Sequence, residues 1–200
     1  MTWTPKRIVH PEAGELEFST LKEFICSGKR AGWASGAKPT KLSDGTKHYE
    51  HTEGELKYTD DFIGQGRFIG REVVRFKGVP VWGMNYTDIF WTPQEYTSDL
   101  SEKLREQVFG FLKERLNLVE PDAPFRGPID SYATRIVDSG KIMYYNRLSA
   151  PTEKEYEKII KFSGREEMSF DTNDKSIFPF ICFSLDYHGR VLIPDEYIKE

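Results

Sequence analysis

The chain has 200 residues and a net charge of −4, and 38% of its residues are hydrophobic. A chain of this length can bury a core without disulfides or metals, and we expect a single domain over residues 1–200. The negative net charge argues against a nucleic-acid-binding protein, which needs a basic face to neutralise phosphates.

The cysteines and the apolar segments indicate a cellular setting. Cys26 and Cys182 are far apart and lack the close spacing of metal ligands, so we predict buried, reduced thiols. The N-terminus has no apolar stretch typical of a signal peptide, and no segment reaches the ~20 apolar residues of a membrane span. We therefore expect a cytoplasmic protein with no membrane partner.

Hydrophobic spacing predicts the elements of the first half. A helix is clearest where Leu104, Val108 and Leu112 recur at helical spacing. Thr20 and Glu23 form the pattern of a capping box for an earlier helix. The predicted elements are, in chain order, a helix over 20–27 ended by Gly28, a loop over 28–47, strands between 48 and 91 with a hairpin turn at Lys77-Gly78, and a helix over 98–117.

The second half is predicted to be rich in strands. Its elements are, in chain order, an extended segment over 118–124, a corner over 125–128, strands over 132–137 and 142–148, a helix over 152–160, a hairpin with arms over 162–170 and 177–187, a turn at His188-Gly189 and a last strand over 190–193. We expect an α+β fold, in which a twisted, mainly antiparallel sheet combines two related halves, 16–118 and 119–200. The long central helix would pack across that sheet.

A five-residue pattern relates the two halves: Phe68-Ile69-Gly70-Arg71-Glu72 returns as Phe162-Ser163-Gly164-Arg165-Glu166. In a strand, the Phe, Gly and Glu positions share one face, and the glycine indicates a bulge or a close approach. Three interpretations stay open. The glycines could relieve crowding while Glu and Arg pair across strands, the segment could bind a ligand, or the two glutamates could meet and divide acid and base roles.

A dense aromatic cluster at 80–86 supplies the candidate ligand contacts. Alternation places Trp82, Met84 and Tyr86 on one face of a strand and Asn85 on the other. Trp and Tyr rings with a polar edge suit a ring-bearing ligand. The candidate site residues are Trp82, Asn85 and Tyr86 as ring and polar contacts, and Asp60, Glu72 and Arg126 as charged contacts. The sequence has no recognisable metal, phosphate-loop or nucleophile motif, and we name no cofactor.

Several motifs resemble a microbial family of domains of unknown function. They are Tyr58-x-Asp60-x-Phe62-x-Gly64, Phe68-x-Gly70-x-Glu72, Pro80-x-Trp82-x-Met84-Asn85-Tyr86, Phe125-Arg126-Gly127-Pro128 and, more loosely, Tyr187-His188-Gly189. The resemblance covers about residues 16–193, and this chain departs from the family by enlarging 149–176. It implies a domain that stands alone or follows a helix-turn-helix DNA-binding domain, and hence a sensing or ligand-binding module. Because the resemblance begins near residue 16, we expect no DNA-binding domain here.

These observations favour a cytoplasmic small-molecule-binding or sensor-like domain. Its pocket would lie between the first hairpin and the loops that precede it. One alternative is a hydrolase or transferase that uses Glu72 with Glu166. A second is a protein-interaction module that docks through an aromatic surface, with a homodimer as one form of that interaction.

Overall fold

The computed structural model describes residues 6–129, 131–149, 157–174 and 176–200. The helices are α1 (Phe18–Ala31), α2 (Ser98–Asn117) and α3 (Glu157–Ile160), with single 3-10 turns at Trp33–Ser35 and Asp195–Tyr197. The strands are β1 (Arg7–His10), β2 (Gly14–Glu17), β3 (Thr40–Lys41), β4 (Lys47–Glu53), β5 (Leu56–Gly64), β6 (Arg67–Phe76), β7 (Val79–Phe90), β8 (Ser131–Val137), β9 (Gly140–Leu148), β10 (Lys161–Thr172), β11 (Phe180–Val191) and β12 (Ile198–Lys199).

Nine of these strands form one antiparallel sheet in the order β3-β4-β5-β6-β7-β11-β10-β9-β8. Strands β4 to β7 follow one another as a first meander, and β8 to β11 as a second. The two meanders meet where β7 pairs with β11. Strands β12, β1 and β2 form a small separate sheet. The α+β fold and the mainly antiparallel sheet are as the sequence predicted.

Both longer helices cover the same face of the sheet. Thr97 caps α2 by accepting a hydrogen bond from the backbone N–H of Leu100. The ring of Phe109 in α2 lies 5.8 Å from that of Phe90 on β7 and 6.0 Å from that of Phe183 on β11. Helix α2 therefore crosses the line where the meanders meet, as a long central helix should. None of the helices that the structure describes is long and apolar enough to cross a membrane.

The repeated glycine has a packing role in both meanders. Gly70 on β6 is paired with Tyr86 on β7, and Gly164 on β10 is paired with Tyr187 on β11. A Cβ atom would lie 2.2 Å from the ring of Tyr86 at Gly70 and 2.3 Å from the hydroxyl of Tyr187 at Gly164. Only glycine lets a tyrosine ring lie across the neighbouring strand at this distance.

Helix α1 is longer than the sequence predicted. It begins at Phe18 and continues through Gly28 to Ala31, so the predicted loop over 28–47 is helical at its start. The predicted stop at Gly28 is wrong, because that glycine serves packing: a Cβ there would lie 2.5 Å from Cγ of Tyr58. Thr20 lies inside the helix rather than at its cap.

Two other predicted elements, and one element that the sequence did not predict, concern the end of β11, the small sheet and the last helix. The predicted turn at His188-Gly189 is wrong, because these residues pair with Asn85 and Met84 of β7 and continue β11 to Val191. The small sheet of β1, β2 and β12 was not predicted at all. The predicted helix over 152–160 begins in residues that lie outside the described part of the chain, and its last four residues form α3.

Candidate functional site

A cavity of about 760 Å³ opens between α1, α2 and the first meander. Its aromatic wall runs through ring contacts from Tyr49 to Phe62, then Phe68, then Tyr86, with ring centroids 5.9 to 6.1 Å apart. Trp33 and Phe109 line it from the helical side. The charged lining residues are Lys29, Lys47, Asp60, Glu72, Glu102, Arg105 and Arg126, and Tyr58 and Gln65 add further polar groups. The cavity thus combines a broad apolar wall with a few polar groups.

Asp60, on β5, presents a carboxyl group to this cavity. Its Oδ1 accepts a hydrogen bond from the Tyr86 hydroxyl at 2.6 Å. Among the residues that the structure describes, no group donates a hydrogen bond to its Oδ2. Burial, and then the nearby charge of Glu72, raises the pKa of Asp60 to about 7. Asp60 is therefore able to hold or release a proton near neutral pH.

Glu72, on β6 directly opposite Asp60, is buried and paired with Lys29 of α1. Burial, and then the nearby charge of Glu72, raises the pKa of Tyr58. Burial lowers the pKa of Lys29, although the Glu72 carboxylate works in the opposite direction. The Lys29 ammonium lies 5.6 Å from the centroid of the Trp82 ring. This ion pair is shielded from water, so each charge depends on the other for compensation.

Arg126 reaches the cavity from the segment that follows α2. Its guanidinium donates to Oε2 of Glu166 from Nε at 3.0 Å, and it lies 5.8 Å from the ring centroid of Tyr86. Tyr144 donates to the other oxygen of Glu166 at 2.7 Å. Burial alone would lower the pKa of Arg126, but the carboxylates of Glu166 and Glu72 raise it. Arg126 therefore stays charged between the two glutamates.

The structure brings together four of the six predicted site residues: Asp60, Glu72, Tyr86 and Arg126 all line the cavity. Trp82 lies beneath them, fully buried, with its ring stacked on that of Phe162 at 5.9 Å, and it does not line the cavity. Asn85 lies on the opposite face of the sheet and is exposed. Because side chains alternate along β7, Asn85 lies on the opposite face from Trp82 and Tyr86. The segment 80–86 therefore contributes side chains to both faces of the sheet.

Glu72 and Glu166 occupy matching positions on β6 and β10 and both are buried. Each has a cation of its own, Lys29 for Glu72 and Arg126 for Glu166. A dyad that shares one proton needs two carboxylates that compete for it, and separate cations remove that competition.

Lys29 and Phe68 are site residues that the sequence reasoning missed. Lys29 follows Leu21 and Ile25 at helical spacing on the buried face of α1, and a lysine on such a face is an unusual signal. Ending the helix before Gly28 hid that signal. Phe68 is predicted from the repeated motif only to share a strand face with Gly70 and Glu72, and the candidate ligand contacts do not include it.

The second meander repeats the polar arrangement with one substitution. Asn146 is paired with Glu166 on the neighbouring strand, as Asp60 is with Glu72. Tyr187 donates to Oδ1 of Asn146 at 2.9 Å, which matches the bond from Tyr86 to Asp60. The matching groups are therefore an amide in one meander and a carboxyl in the other.

In the second meander, residues of the segment after α2 fill the place that matches the cavity of the first meander. The Nδ2 of Asn146 donates to the backbone carbonyl of Gly127 at 2.8 Å. The neighbouring Phe125 stacks on Phe162 with ring centroids 4.0 Å apart and planes 21° apart. Phe162 matches Phe68 in the repeated motif, and Phe68 lines the cavity. The chain thus occupies in one half the space that the cavity leaves free in the other.

The residue on the neighbouring strand that stands opposite the phenylalanine also differs between the two meanders. Gly189 stands opposite Phe162, and a Cβ there would lie 2.4 Å from that ring. Asp88 stands opposite Phe68 and accepts a hydrogen bond from its backbone N–H at 2.7 Å. Burial raises the pKa of Asp88 to about 7, and within the described residues its Oδ2 has no partner. A second carboxyl able to carry a proton is therefore buried beside Phe68.

The described residues contain no group of three or more His, Cys, Asp or Glu side chains arranged to hold a metal ion. No curated protein and no solved structure matches this chain. A family comparison does find a match, over residues 60–192, which include β6, β7, both repeated motifs and Arg126 but not α1. The match spans well over half of the chain, which therefore belongs to the family described as Domain of unknown function (DUF5680).

Proposed function

We propose that this protein binds a small organic molecule in the cavity between α1, α2 and the first meander. The observation that carries the proposal is the Oδ2 of Asp60, which faces the cavity and accepts no hydrogen bond from the described residues. A carboxylate oxygen that the protein leaves without a hydrogen-bond donor needs a partner from water or from a ligand. A ligand that donates to Asp60 would satisfy it.

The size and lining of the cavity support the same function. Its volume of about 760 Å³ falls within the ~300–1,000 Å³ typical of ligand pockets. Such pockets combine aromatic walls with a small number of placed polar groups, as the wall from Tyr49 to Tyr86 and the group around Asp60 do here. The ion pair of Lys29 and Glu72 holds one polar wall in place before any ligand arrives.

A thermal-shift screen with a diverse metabolite library tests the proposal. A ligand present at a hundred times its Kd should stabilise the fold by ~2.7 kcal/mol. We expect Phe68→Leu and Tyr86→Phe to weaken the response, because both residues line the cavity. Asn85→Ala is the matched control, since it changes the same strand on the opposite face. A library without hits, or hits that ignore Phe68 and Tyr86, would contradict the proposal.

A second candidate function is an enzyme in which Asp60 transfers a proton. What favours it is the pKa of about 7, in a cavity and beside the Tyr86 hydroxyl. The hydrolase or transferase that would use Glu72 with Glu166 has less support, because each glutamate has its own cation. Mass spectrometry of each screening hit after incubation separates the candidates, since only an enzyme converts a hit into product. Conversion should then disappear in Asp60→Asn.

A sensor-like role in the cytoplasm extends the main proposal. The resemblance to domains that accompany helix-turn-helix modules supports it, and the buried, free thiols of Cys26 and Cys182 suit a reducing compartment. A sensor must change a surface when its ligand binds, so hydrogen exchange should fall outside the cavity as well as within it. The alternative of an interaction module or homodimer predicts a larger mass in light scattering, whether or not ligand is present.

A further inference from the structure

The ligand class can be inferred by comparing the second meander with the first; this inference rests on the proposed function. In the second meander the chain itself occupies the matching place. The ring of Phe125 stacks on Phe162 at 4.0 Å, and the carbonyl of Gly127 accepts the amide proton of Asn146 at 2.8 Å. An aromatic ring and a hydrogen-bonding group, two residues apart, therefore fill that place together.

In the first meander the two matching side chains line the cavity, and one of them differs in its hydrogen-bonding character. Phe68 replaces Phe162 and Asp60 replaces Asn146. An asparagine offers a donor to the occupant, whereas the free oxygen of an aspartate can accept from it. When Asp60 is ionised, the occupant of the cavity can therefore present a hydrogen-bond donor, such as an N–H, where the second meander presents a carbonyl acceptor.

We propose that the cavity binds a planar aromatic molecule bearing a cationic amine or amidine, with its ring against Phe68 and an N–H group on Oδ2 of Asp60. The distribution of charge supports a cation. Lys29 is matched by Glu72 and Arg126 by Glu166, which leaves Asp60 without a cation of its own. At the mouth, Arg105 is matched by Glu102 at 2.7 Å. Among the lining charges of the described residues, these pairs leave Asp60 inside the cavity and Lys47 at its outer end without an ion-pair partner. A positive group bound beside Asp60 completes the pairing at that position.

At its outer end, the aromatic wall contacts the positively charged side chain of Lys47. The ammonium group of Lys47 lies 5.2 Å from the ring centroid of Phe62, which stands next to Phe68 in the wall. Attraction of cations to ring faces is strongest where water is displaced, as it is deeper in the cavity. The wall and the carboxyl group of Asp60 therefore favour the same kind of ligand.

Binding of such a cation should depend on pH. The titratable and charged groups around Asp60 are Glu72 on β6, Tyr86 on β7, Lys29 on α1, Arg126 after α2, Tyr49 on β4 and Tyr58 on β5, with Asp88 elsewhere on the inward face of β7. A cation binds the ionised form of Asp60, whose pKa is about 7. Affinity should therefore rise with pH up to about 7 and fall about tenfold for each pH unit below it.

Three small aromatic probes of nearly equal shape test the proposal: benzamidine, benzamide and benzoate. Ligand-observed NMR titrations of the full chain would measure Kd for each at pH 5.5 and pH 8. We expect benzamidine to bind the wild-type protein most tightly, and more tightly at pH 8. Asp60→Asn, which copies Asn146, should weaken benzamidine by about tenfold or more and remove its pH dependence. Asn85→Ala should leave all three Kd values unchanged.

A second variant keeps the test valid if Asp60→Asn does not fold, which circular dichroism would reveal. Phe68→Leu removes the stacking surface and should weaken benzamidine while preserving its preference over benzoate. Binding of benzoate or benzamide as tight as that of benzamidine would overturn the inference about charge. If none of the probes binds while other library compounds bind in a Phe68-dependent way, the ligand class is wrong and the binding function stands. If no compound of any class binds, both fall together.

Discussion

Asp60 and Asn146 show how one side chain can separate two otherwise similar halves. Each accepts a hydrogen bond from a tyrosine on the next but one strand, at 2.6 Å and 2.9 Å. The amide of Asn146 satisfies its second group with the backbone of Gly127. The carboxyl group of Asp60 has no such backbone partner among the described residues. The proposed binding function of the first half therefore depends on an acceptor oxygen that the described residues leave without a partner.

Removing Lys29 should show how strongly the buried ion pair stabilises the site. Lys29→Met leaves the Glu72 charge buried without compensation, and we expect a loss of ~3–5 kcal/mol in the free energy of unfolding. Urea denaturation measures this loss. The matched control is Lys57→Met, because its pair with Glu50 is about half exposed and should contribute no more than ~1 kcal/mol. Equal losses in the two variants would contradict the account of a shielded pair.

At the scale of elements, two glycines of the sheet allow a direct comparison. Gly70→Ala on β6 would place a Cβ 2.2 Å from the ring of Tyr86, so the strand or the ring must shift. We expect a loss of ~1–3 kcal/mol in unfolding free energy, as in other overpacked interiors. Gly83→Ala on β7 is the control, since its Cβ would approach Leu192, a flexible side chain, at 3.3 Å. A larger loss at Gly83 would disprove the proposed packing role of Gly70.

Helix α2 offers a change in the opposite direction. Gly110 lies in the helix interior, and a Cβ there would meet only the end of the Arg135 side chain, at 3.8 Å. Gly110→Ala should therefore stabilise the protein by ~0.5–1 kcal/mol, because alanine loses less backbone entropy in a helix. A rise in Tm by differential scanning calorimetry would show it. A fall in Tm would mean that α2 packs more tightly at Gly110 than its surroundings indicate.

Periodicity accounts for the elements that the sequence predicted well. The long helix was correct to the residue, because Leu104, Val108 and Leu112 repeat at helical spacing between a capping threonine and the prolines beyond it. Gly28 and Gly189 misled the prediction, because each was interpreted as a local stop or turn. Both are glycines for a tertiary reason, the approach of the Tyr58 ring and of the Phe162 ring, which no local pattern reveals.

The candidate site was only partly predictable for a related reason. Charge and aromatic content selected Asp60, Tyr86 and Arg126, which the structure brings together at one cavity. Whether an aromatic residue of β7 faces that cavity or the core beneath it depends on how α1 and the Arg126 segment pack. Trp82 is covered by Lys29 of α1 and by the ring of Phe162, and its place could not be derived from the alternation of the strand alone.

For the whole molecule, the acids with raised pKa values determine how stability should vary with pH. Asp60 and Asp88 each have a pKa of about 7 in the folded state, well above the value of 3.8 for a free aspartate. Between these values the folded state binds more protons than the unfolded state. The free energy of unfolding should therefore fall as pH rises from about 4 to about 7. Burial is the first cause of both shifts.

Urea titrations at several pH values between 4 and 8 measure this dependence. We expect Asp60→Asn and Asp88→Asn each to reduce the slope, and the double variant to reduce it most, because asparagine does not titrate. Asp44→Asn is a suitable control, since Asp44 is fully exposed and its pKa is lowered rather than raised. A slope that is the same in the wild type and in both single variants would show that neither buried acid keeps its proton in this range.

The pairing of β7 with β11 also has a consequence for how the chain folds. Tyr86 pairs with Tyr187, which follows it by about a hundred residues, whereas pairing within each meander is local. Contacts between distant segments form slowly, because the loop that they close costs entropy before it is stabilised. Until β11 arrives, β7 is an open edge able to pair with another chain. During synthesis, therefore, the completed first meander is the species most exposed to misassembly and to chaperone binding.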